Sequence, residues 1–256
     1  MTKKLTSQVA ILTGAARGLG VALVERFAAD GASLLLADLN GEGLPPVAAS
    51  ALDAGAPDVA WIEQDLSREE GAAATVKMAL DRWGRVDVLI NNAGGGLIRP
   101  FLEHTPDTLR ETINRNLWTT IWCTRAVLPH MIEQKYGRII NIGSLSCFLG
   151  LYEVAAYGAS KAGVLSLTKS LAIEWARYGV CVNALVPGVF RTALNASLLD
   201  GTARGQEFLL RTPMARFGQL EELVGAAVFL ASDAASFVTG QAIVVDGGIL
   251  ASGVNQ

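Results

Sequence analysis

Tyr157 and Lys161 stand four residues apart in the stretch YGASK, with only small residues between them. Positions i and i+4 lie on the same face of an α-helix, so a helix here would hold an ammonium group close to a phenol. This spacing indicates a candidate acid–base pair. The other three tyrosines have no lysine four residues later, so a chance match remains the alternative.

A glycine-rich stretch follows the first apolar run of the chain. GAARGLG places Gly14, Gly18 and Gly20 directly after VAILT, residues Val9–Thr13. Glycine permits a tight turn and a close approach of the main chain to a pyrophosphate, and the start of a following helix attracts anions. The spacing is GxxxGxG rather than the general GxGxxG, and an ordinary turn is the alternative. A strand before it and a helical pattern after it favour a phosphate-binding loop.

Asp38 ends the second apolar run. A carboxylate there can accept hydrogen bonds from both ribose hydroxyls of an adenosine, and it would repel a 2′-phosphate. Asp38 therefore favours NAD, while Arg17 beside the glycines favours NADP, because its guanidinium could pair with that phosphate. We give Asp38 more weight, since Arg17 can serve the pyrophosphate instead. A solvated turn residue is the alternative role of Asp38.

Short apolar runs that alternate with amphipathic segments must position these residues. LGVALVERFAADG, for example, repeats apolar residues at helical spacing. The alternation predicts an α/β, Rossmann-type fold, a doubly wound parallel seven-stranded sheet with helices on both faces. Ligands of such sheets bind beyond the carboxyl ends of the strands. The predicted strands are Val9–Thr13, Ser33–Asp38, Val59–Gln64, Val86–Asn91, Arg138–Ser144, Val180–Val186 and Gln241–Asp246.

Length and composition suit one large domain. We expect residues 1–256 to form a single dinucleotide-binding catalytic domain. The hydrophobic share of 51% and the mean hydropathy of +0.35 are high, as strands buried on both faces require. No run reaches the roughly 18 apolar residues of a membrane span. The net charge of −3 is scattered without a basic stripe, so neither a membrane nor a nucleic acid is expected as a partner.

Cysteine and histidine usage indicates neither disulfides nor a metal site. Cys123, Cys147 and Cys181 show no metal-ligand or CxxC spacing, which suits free thiols in a reducing cytoplasm. His104 and His130 are far apart in the chain, and the acidic residues show no ligand spacing. We therefore expect a cytoplasmic protein without a bound metal.

Several motifs stand in one order: TGAARGLG, NNAG (Asn91–Gly94), Ser144, YGASK and PGVFRT (Pro187–Thr192). Together they resemble the short-chain dehydrogenase/reductase family from about Val9 to Gly248. The resemblance implies reversible hydride transfer between a nicotinamide and an alcohol or ketone. It also implies a homo-oligomer, often a tetramer.

The family's catalytic tetrad maps onto Asn116, Ser144, Tyr157 and Lys161. Tyr157 would be the acid–base residue, and Lys161 together with the positive ring of the oxidised cofactor would lower the pKa of its phenol from about 10. Ser144 would hydrogen bond the substrate oxygen and position it. Asn116 would hold a water that connects Lys161 to solvent.

The resemblance also assigns residues to the cofactor. Asp65 and Leu66 would frame the adenine. Asn91 would line the cofactor site at the end of the fourth strand, and bracing of neighbouring strands is its alternative role. The complete expected set is Gly14, Arg17, Gly18, Leu19, Gly20, Asp38, Leu39, Asp65, Leu66, Asn91, Ala93, Gly94, Tyr157, Lys161, Pro187, Gly188, Val189 and Thr192. The last four would hold the carboxamide of the nicotinamide.

Loops that the family does not define would bind the substrate. The candidates are Gly95, Ser146, Phe148, Glu153 and Phe190, with Arg191 beside them. The aromatic rings could seat a carbon skeleton. The polar side chains of Ser146, Glu153 and Arg191 could reach hydroxyls or a carboxylate, and a solvated loop residue is the alternative role of each. We expect an NAD-dependent oxidoreductase acting on a secondary alcohol or ketone of a small polar substrate, which is polyhydroxylated, a sugar acid or a cyclic diol.

Two other functions stay open. One is a 3-oxoacyl-carrier-protein-type or general ketone reductase using NADPH, which Asp38 and the scattered charge disfavour. The other is a non-catalytic nucleotide-binding regulatory module, which loss of Tyr157 or Lys161 would favour; both are present. A looser similarity of NLWTTIWCTRAVLPHM and the DGG ending to sugar-acid, polyol and cis-dihydrodiol dehydrogenases favours the first expectation.

Overall fold

The structure is a computed structural model that describes residues 3–193 and 195–253. Within them, seven strands form one parallel sheet in the order β3-β2-β1-β4-β5-β6-β7. The strands are β1 (Val9–Thr13), β2 (Ser33–Asp38), β3 (Val59–Glu63), β4 (Val88–Asn91), β5 (Gly137–Ile142), β6 (Val180–Pro187) and β7 (Ala242–Val245). The predicted doubly wound parallel sheet is confirmed, and the predicted strand bounds differ from these by at most two residues.

Helices connect the strands. They are α1 (Leu19–Ala29), α2 (Leu44–Ala54), α3 (Glu69–Trp83), α4 (Pro106–Ile113), α5 (Thr119–Glu133), α6 (Ala155–Trp175), α7 (Ala196–Leu199), α8 (Ala203–Arg211) and α9 (Leu220–Ala231). A π-helical turn, Asn114–Trp118, joins α4 to α5. No helix in the described ranges is both long enough and apolar enough to cross a membrane.

Helices cover both faces of the sheet because successive strand residues point to opposite sides. Ala10 and Leu12 of β1 pack with α1, α2 and α9 on one face. Ile11 packs with α3, α5 and α6 on the other. Burial on both faces explains why the strands read as continuous apolar runs. Polar side chains are therefore concentrated at the strand ends.

A buried polar ladder ties the central strands to the helices behind them. Asn91 Nδ2 donates to Thr124 Oγ1 at 3.0 Å and to Asn141 Oδ1 at 2.8 Å. Asn141 Nδ2 donates in turn to Thr168 Oγ1 at 2.9 Å. Asn91 thus braces β4 and β5 against α5 and α6, which was its alternative role.

The strand order reverses between β1 and β4, which continue to β2 on one side and to β5 on the other. A cleft opens beyond the carboxyl ends of the strands at such a switch point. Thr13, Asp38, Asn91 and Pro187 all end strands on this edge, and Ser144 follows β5 by two residues. The topology therefore collects the predicted site residues on one edge of the sheet.

Candidate active site

The turn after β1 has no room for side chains at its glycines. Gly14 has a φ of +64°, which favours glycine, and a Cβ there would lie 2.7 Å from Ala93 Cα. A Cβ on Gly20 would lie 2.0 Å from the Gly14 carbonyl oxygen. Gly18 immediately precedes α1. The turn therefore presents bare main chain and the start of a helix at the sheet edge, which fits a pyrophosphate.

Thr13 and Asn92 hold this turn in place. Thr13 Oγ1 donates to the Ile90 carbonyl at 3.1 Å and accepts the N–H groups of Asn92 and Ala93, each at 3.0 Å. Asn92 Nδ2 donates to the carbonyls of Thr13 and Gly14 at 3.1 and 2.9 Å. The sequence reasoning missed the role of Thr13, although a polar residue that ends a buried strand just before a glycine turn was a usable signal.

Asp38 lies beside the same turn. One carboxylate oxygen accepts the N–H of Ala16 and the other that of Asn40, both at 2.9 Å. A carboxylate oxygen has two acceptor positions, so each can still accept a hydrogen bond from a diol. Arg17 is exposed in the turn, and Leu39 is exposed immediately after Asp38. This end of the cleft suits an adenosine ribose.

Asp65 and Leu66 follow β3, where the adenine was expected. The Ser67 side chain donates to Asp65 Oδ1 at 2.6 Å, and this hydrogen bond lowers the pKa of the Asp65 carboxyl. The Leu66 side chain is buried in the core. Any contact of Leu66 with a cofactor therefore comes from its main chain.

The phenol and ammonium of YGASK lie on one face of α6, with Lys161 Nζ 5.8 Å from the centroid of the Tyr157 ring. Lys161 is buried and donates to the Ile142 carbonyl oxygen at 2.7 Å. The Ser144 hydroxyl is close enough to the Tyr157 phenol to act on its pKa as a hydrogen-bond partner. Three of the four predicted tetrad residues therefore meet at the end of β5.

The protein groups by themselves do not lower the pKa of the phenol, and the expected lowering by Lys161 together with the positive ring of the oxidised cofactor stays a prediction. Partial burial raises the pKa of Tyr157, and the hydrogen bond with Ser144 opposes that shift. Burial lowers the pKa of Lys161 to about 8. The Lys161 ammonium donates to the Ile142 carbonyl, and desolvation is the largest influence on the pKa of the phenol. A second positive charge at this edge would be needed to lower the pKa of Tyr157.

Asn116, in the π-helical turn, is fully buried and clamps the segment after β4. Its Oδ1 accepts the Gly95 N–H at 3.0 Å, and its Nδ2 donates to the Gly95 carbonyl at 2.7 Å and to that of Thr112 at 2.8 Å. A Cβ on Gly94 would lie 2.6 Å from Asn116 Oδ1. A π-helical turn at a functional site is common. The water-holding role of Asn116 stays a prediction.

Gly96 packs directly against Tyr157. A Cβ on it would lie 3.0 Å from Tyr157 Cβ and 3.1 Å from Tyr157 Cδ2. The three consecutive glycines, 94–96, thus lie between Asn116 and the reactive phenol.

A cavity of about 630 Å³ is lined by residues that neighbour the reactive groups in sequence, while Ser144, Tyr157 and Lys161 themselves are not among its lining residues. Leu145, which follows Ser144, and Val154, three residues before Tyr157, line one part of it. The predicted cofactor residues that line it are Leu19, Pro187, Gly188, Val189 and Thr192. Most other lining side chains are apolar, and the charged ones are Arg204, Glu207 and Arg211. A substrate in this cavity would thus have an apolar environment with a few charged groups.

The predicted substrate residues have different surroundings. Phe190 lines the cavity and packs on Gly218. Glu153 forms an ion pair with the cavity residue Arg204 at 3.4 Å. Ser146 Oγ is buried without a hydrogen-bond partner in the described part of the chain, and Phe148 is exposed.

Arg191 corrects one expectation. Its guanidinium forms two hydrogen bonds with the Asp200 carboxylate, at 2.8 and 2.6 Å, and the pair is exposed. Because this carboxylate already occupies the guanidinium in a bidentate pair, Arg191 does not serve as the substrate contact that its position in the sequence suggested.

A metal site needs a group of ligand side chains. In residues 3–193 and 195–253, no three His, Cys, Asp or Glu side chains are grouped so that they could hold a metal ion.

Comparisons with known proteins identify the relatives of this chain. The profile of the family described as enoyl-(acyl carrier protein) reductase matches residues 14–250. The 2,3-dihydroxy-2,3-dihydro-p-cumate dehydrogenase of Pseudomonas putida is 45% identical over 95% of each chain. Gluconate 5-dehydrogenase of Gluconobacter oxydans is 37% identical over 97% of this chain and 96% of its own. A crystal structure of gluconate 5-dehydrogenase from Burkholderia cenocepacia, in complex with NADP and tartrate, is 37% identical with a TM-score of 0.91 over 98% of each chain.

Replacement of Tyr157 by phenylalanine removes the hydroxyl and keeps the ring. We expect turnover to fall by at least about a hundredfold, the scale of a lost general acid–base group, while cofactor binding is retained. Steady-state kinetics and a fluorescence titration with cofactor measure the two quantities. Tyr178→Phe, outside the site, is the control, and turnover of Tyr157→Phe within a few-fold of the parent would contradict the assignment.

The lowered pKa of Lys161 predicts a pH-dependent stability. Below about pH 8 the folded and unfolded states both carry the proton, and the folded state bears the desolvation cost in full. Between about 8 and the ordinary value of 10.5 the folded state releases the proton first, so the free energy of unfolding rises with pH. Relative to Lys161→Met, the parent should gain on the order of 1–3 kcal/mol across this window.

Urea unfolding at several pH values measures that difference. Lys169→Met, at an exposed position of the same helix, is the control. The difference in the free energy of unfolding between the parent and this variant should not change with pH. If the difference between the parent and Lys161→Met is also independent of pH, the buried ammonium has no desolvation cost.

Proposed function

Because the chain belongs to the short-chain dehydrogenase/reductase family, we propose that it oxidises a secondary alcohol in a small cyclic diol or polyhydroxylated molecule, with NAD as the hydride acceptor. The observation that carries the proposal is the grouping of Tyr157, Ser144 and Lys161 at the end of β5, with sequence neighbours of Ser144 and Tyr157 lining a mostly apolar cavity of about 630 Å³.

The residues of the cleft fit a dinucleotide. The bare main chain around Gly14 and the start of α1 would hold the pyrophosphate, and Asp38 would accept the ribose hydroxyls. Pro187, Gly188, Val189 and Thr192 line the cavity and would hold the carboxamide. When bound there, the nicotinamide supplies the hydride acceptor.

The chain's own groups would handle the proton and the position of the substrate. Ser144 Oγ would hydrogen bond the substrate oxygen and hold it near the Tyr157 hydroxyl. Tyr157 Oη would accept the proton of the substrate hydroxyl during oxidation, and would return it during reduction. The Lys161 ammonium would stabilise the phenolate across the short separation within α6.

The substrate class rests on the cavity and on the relatives. Apolar walls suit a carbocycle, and the relatives include a dehydrogenase of a dihydroxy-dihydro-p-cumate and dehydrogenases of gluconate. Each of these names denotes a substrate with neighbouring hydroxyls. A vicinal diol is therefore the class that we propose for this chain.

NAD is proposed on the strength of Asp38, whose carboxylate would repel a 2′-phosphate. NADP is the alternative, because Arg17 is exposed beside the turn and a relative binds NADP. A reductase of acyl groups on a carrier protein is disfavoured, since the scattered charge leaves no basic patch for an acidic carrier.

We further propose a single-domain, cytoplasmic homotetramer. Free thiols at all three cysteines suit the cytoplasm. Exposed apolar side chains support self-association: Trp118, Ile173, Phe237 and Val244 are all exposed near long helices or the last strand. Association of copies of the chain through these side chains would remove their apolar surface from water.

A pair of matched substrates tests the reaction. With NAD, a cis-dihydrodiol of benzene should exceed 2-cyclohexen-1-ol by at least about tenfold in kcat/KM, because a site that hydrogen bonds a hydroxyl rejects an analogue that lacks it. NADH formation at 340 nm measures both. Preference for acyl thioesters with NADPH, or for plain hydrophobic ketones, would instead support a reductase.

Replacement of Asp38 by serine tests the cofactor. One or two hydrogen bonds to a charged acceptor are lost, each worth about 1.5–3 kcal/mol, so NAD should bind at least about tenfold more weakly. NADP should bind more tightly once the repulsion is removed. Asp53→Ser, at an exposed position of α2, is the control for titrations with both cofactors. If the parent already binds NADP more tightly than NAD, Arg17 rather than Asp38 determines the choice of cofactor.

A further inference from the structure

We propose that Arg204 forms a carboxylate-binding subsite in the cavity, so that the substrate diol carries a carboxylate group. This inference rests on the proposed oxidation of a diol and names the chemical class of that substrate more narrowly.

Arg204 lies in the first turn of α8 and lines the cavity. Thr202 caps that helix by accepting the Gly205 N–H at 3.0 Å. The positive end of a helix disfavours a cation in its first turn, so helix stability does not explain an arginine there. The guanidinium and the helix start together favour an anion in this part of the cavity.

Only one nitrogen of the Arg204 guanidinium donates to a protein acceptor within the described residues. Its Nη2 donates to the Tyr152 carbonyl at 2.8 Å and lies 3.4 Å from Glu153 Oε2. In the described part of the chain, Nε and Nη1 have no acceptor. A guanidinium carries five N–H donors in a planar fork that matches a carboxylate. The side chain is 27% exposed, so its free donors are neither fully solvated nor satisfied by protein.

Glu153 is a weak partner that a ligand can replace. Its 3.4 Å contact is longer than the roughly 2.7–2.9 Å of a charge-assisted hydrogen bond. Glu153 has a φ of +65°, a left-handed conformation that is unfavourable for a residue other than glycine. A substrate carboxylate in direct contact with the fork would therefore be favoured over this strained, distant carboxylate.

The other charges of the cavity are already paired. Arg211 donates to Glu207 at 3.0 Å on the same helix, and both side chains are well exposed. The remaining wall near Arg204 is apolar, with Leu149, Leu151 and Phe208 among its residues. In such surroundings a guanidinium–carboxylate pair is stronger than in water. Arg204 is therefore the cation placed to orient a substrate whose carbon skeleton lies on the apolar wall.

Two ring diols that differ in one group test the subsite. They are cis-1,2-dihydroxycyclohexa-3,5-dienes with either a carboxylate or a methyl group at C3. The parent should favour the carboxylate by about a hundredfold in kcat/KM, as two charge-assisted hydrogen bonds allow. Arg204→Gln should remove that preference by slowing the carboxylate substrate, with less than about a threefold change on the methyl substrate.

Two further variants sharpen the test. Glu153→Gln should lower KM for the carboxylate substrate several-fold relative to KM for the methyl substrate, because it removes a competing carboxylate. Arg191→Gln is the matched control: this arginine is paired with Asp200 and does not line the cavity, so neither substrate should respond. An equal loss on both substrates for Arg204→Gln, with a lowered Tm, would show that Arg204 only ties the Tyr152 loop to α8 and would overturn the proposal.

A binding experiment separates this proposal from the proposed reaction. Calorimetric titration of the cofactor-saturated protein with benzoate should show binding that is abolished in Arg204→Gln and partly retained in Arg204→Lys. Benzyl alcohol should bind the parent and Arg204→Gln with the same affinity. If neither diol is oxidised but benzoate binding depends on Arg204, the reaction is wrong and the subsite stands. If both diols are oxidised equally well by the parent and benzoate does not bind, the subsite is wrong and the reaction stands.

Discussion

Burial of the sheet on both faces is the constraint from which the site follows. Because α1, α2 and α9 cover one face and α3, α5 and α6 the other, a polar side chain on a central strand needs a partner inside the protein or a position at a strand end. The Asn91–Asn141 ladder satisfies the first condition, and Thr13 and Asp38 satisfy the second. Parallel strands place all their carboxyl ends on one edge, so the polar groups of distant segments meet there.

Close packing of main chain against side chain gives this edge its shape. Gly14 lies against Ala93, and Gly94 and Gly96 lie against Asn116 and Tyr157 respectively. The hydrogen bonds between Asn116 and the Gly95 main chain hold these contacts in place. The phenol therefore has a defined position even though the segment beside it has no side chains of its own.

The same burial determines the charges of the reactive groups. Lys161 loses water when α6 packs on β5, and the Ile142 carbonyl supplies only a neutral partner, so the pKa of the ammonium falls to about 8. The phenol is desolvated as well and its pKa rises, with the Ser144 hydrogen bond acting in the opposite direction. The protein groups alone thus leave Tyr157 as a proton donor, and a base at this position needs additional positive charge.

The sequence by itself determined the features that depend on local spacing. Apolar runs and helical periodicity predicted the seven strands and the first helix, since both patterns reflect side-chain direction within one element. The four-residue spacing placed Tyr157 and Lys161 on one helix face, and the glycines marked the turn after β1. The tertiary structure decided the pairings between distant residues. Arg204 meets Glu153 across 51 positions, and Arg191 pairs with Asp200 rather than facing a ligand. The directions of the pKa shifts of Tyr157 and Lys161 also depended on the tertiary structure, because desolvation is a property of packing that no short stretch of sequence encodes.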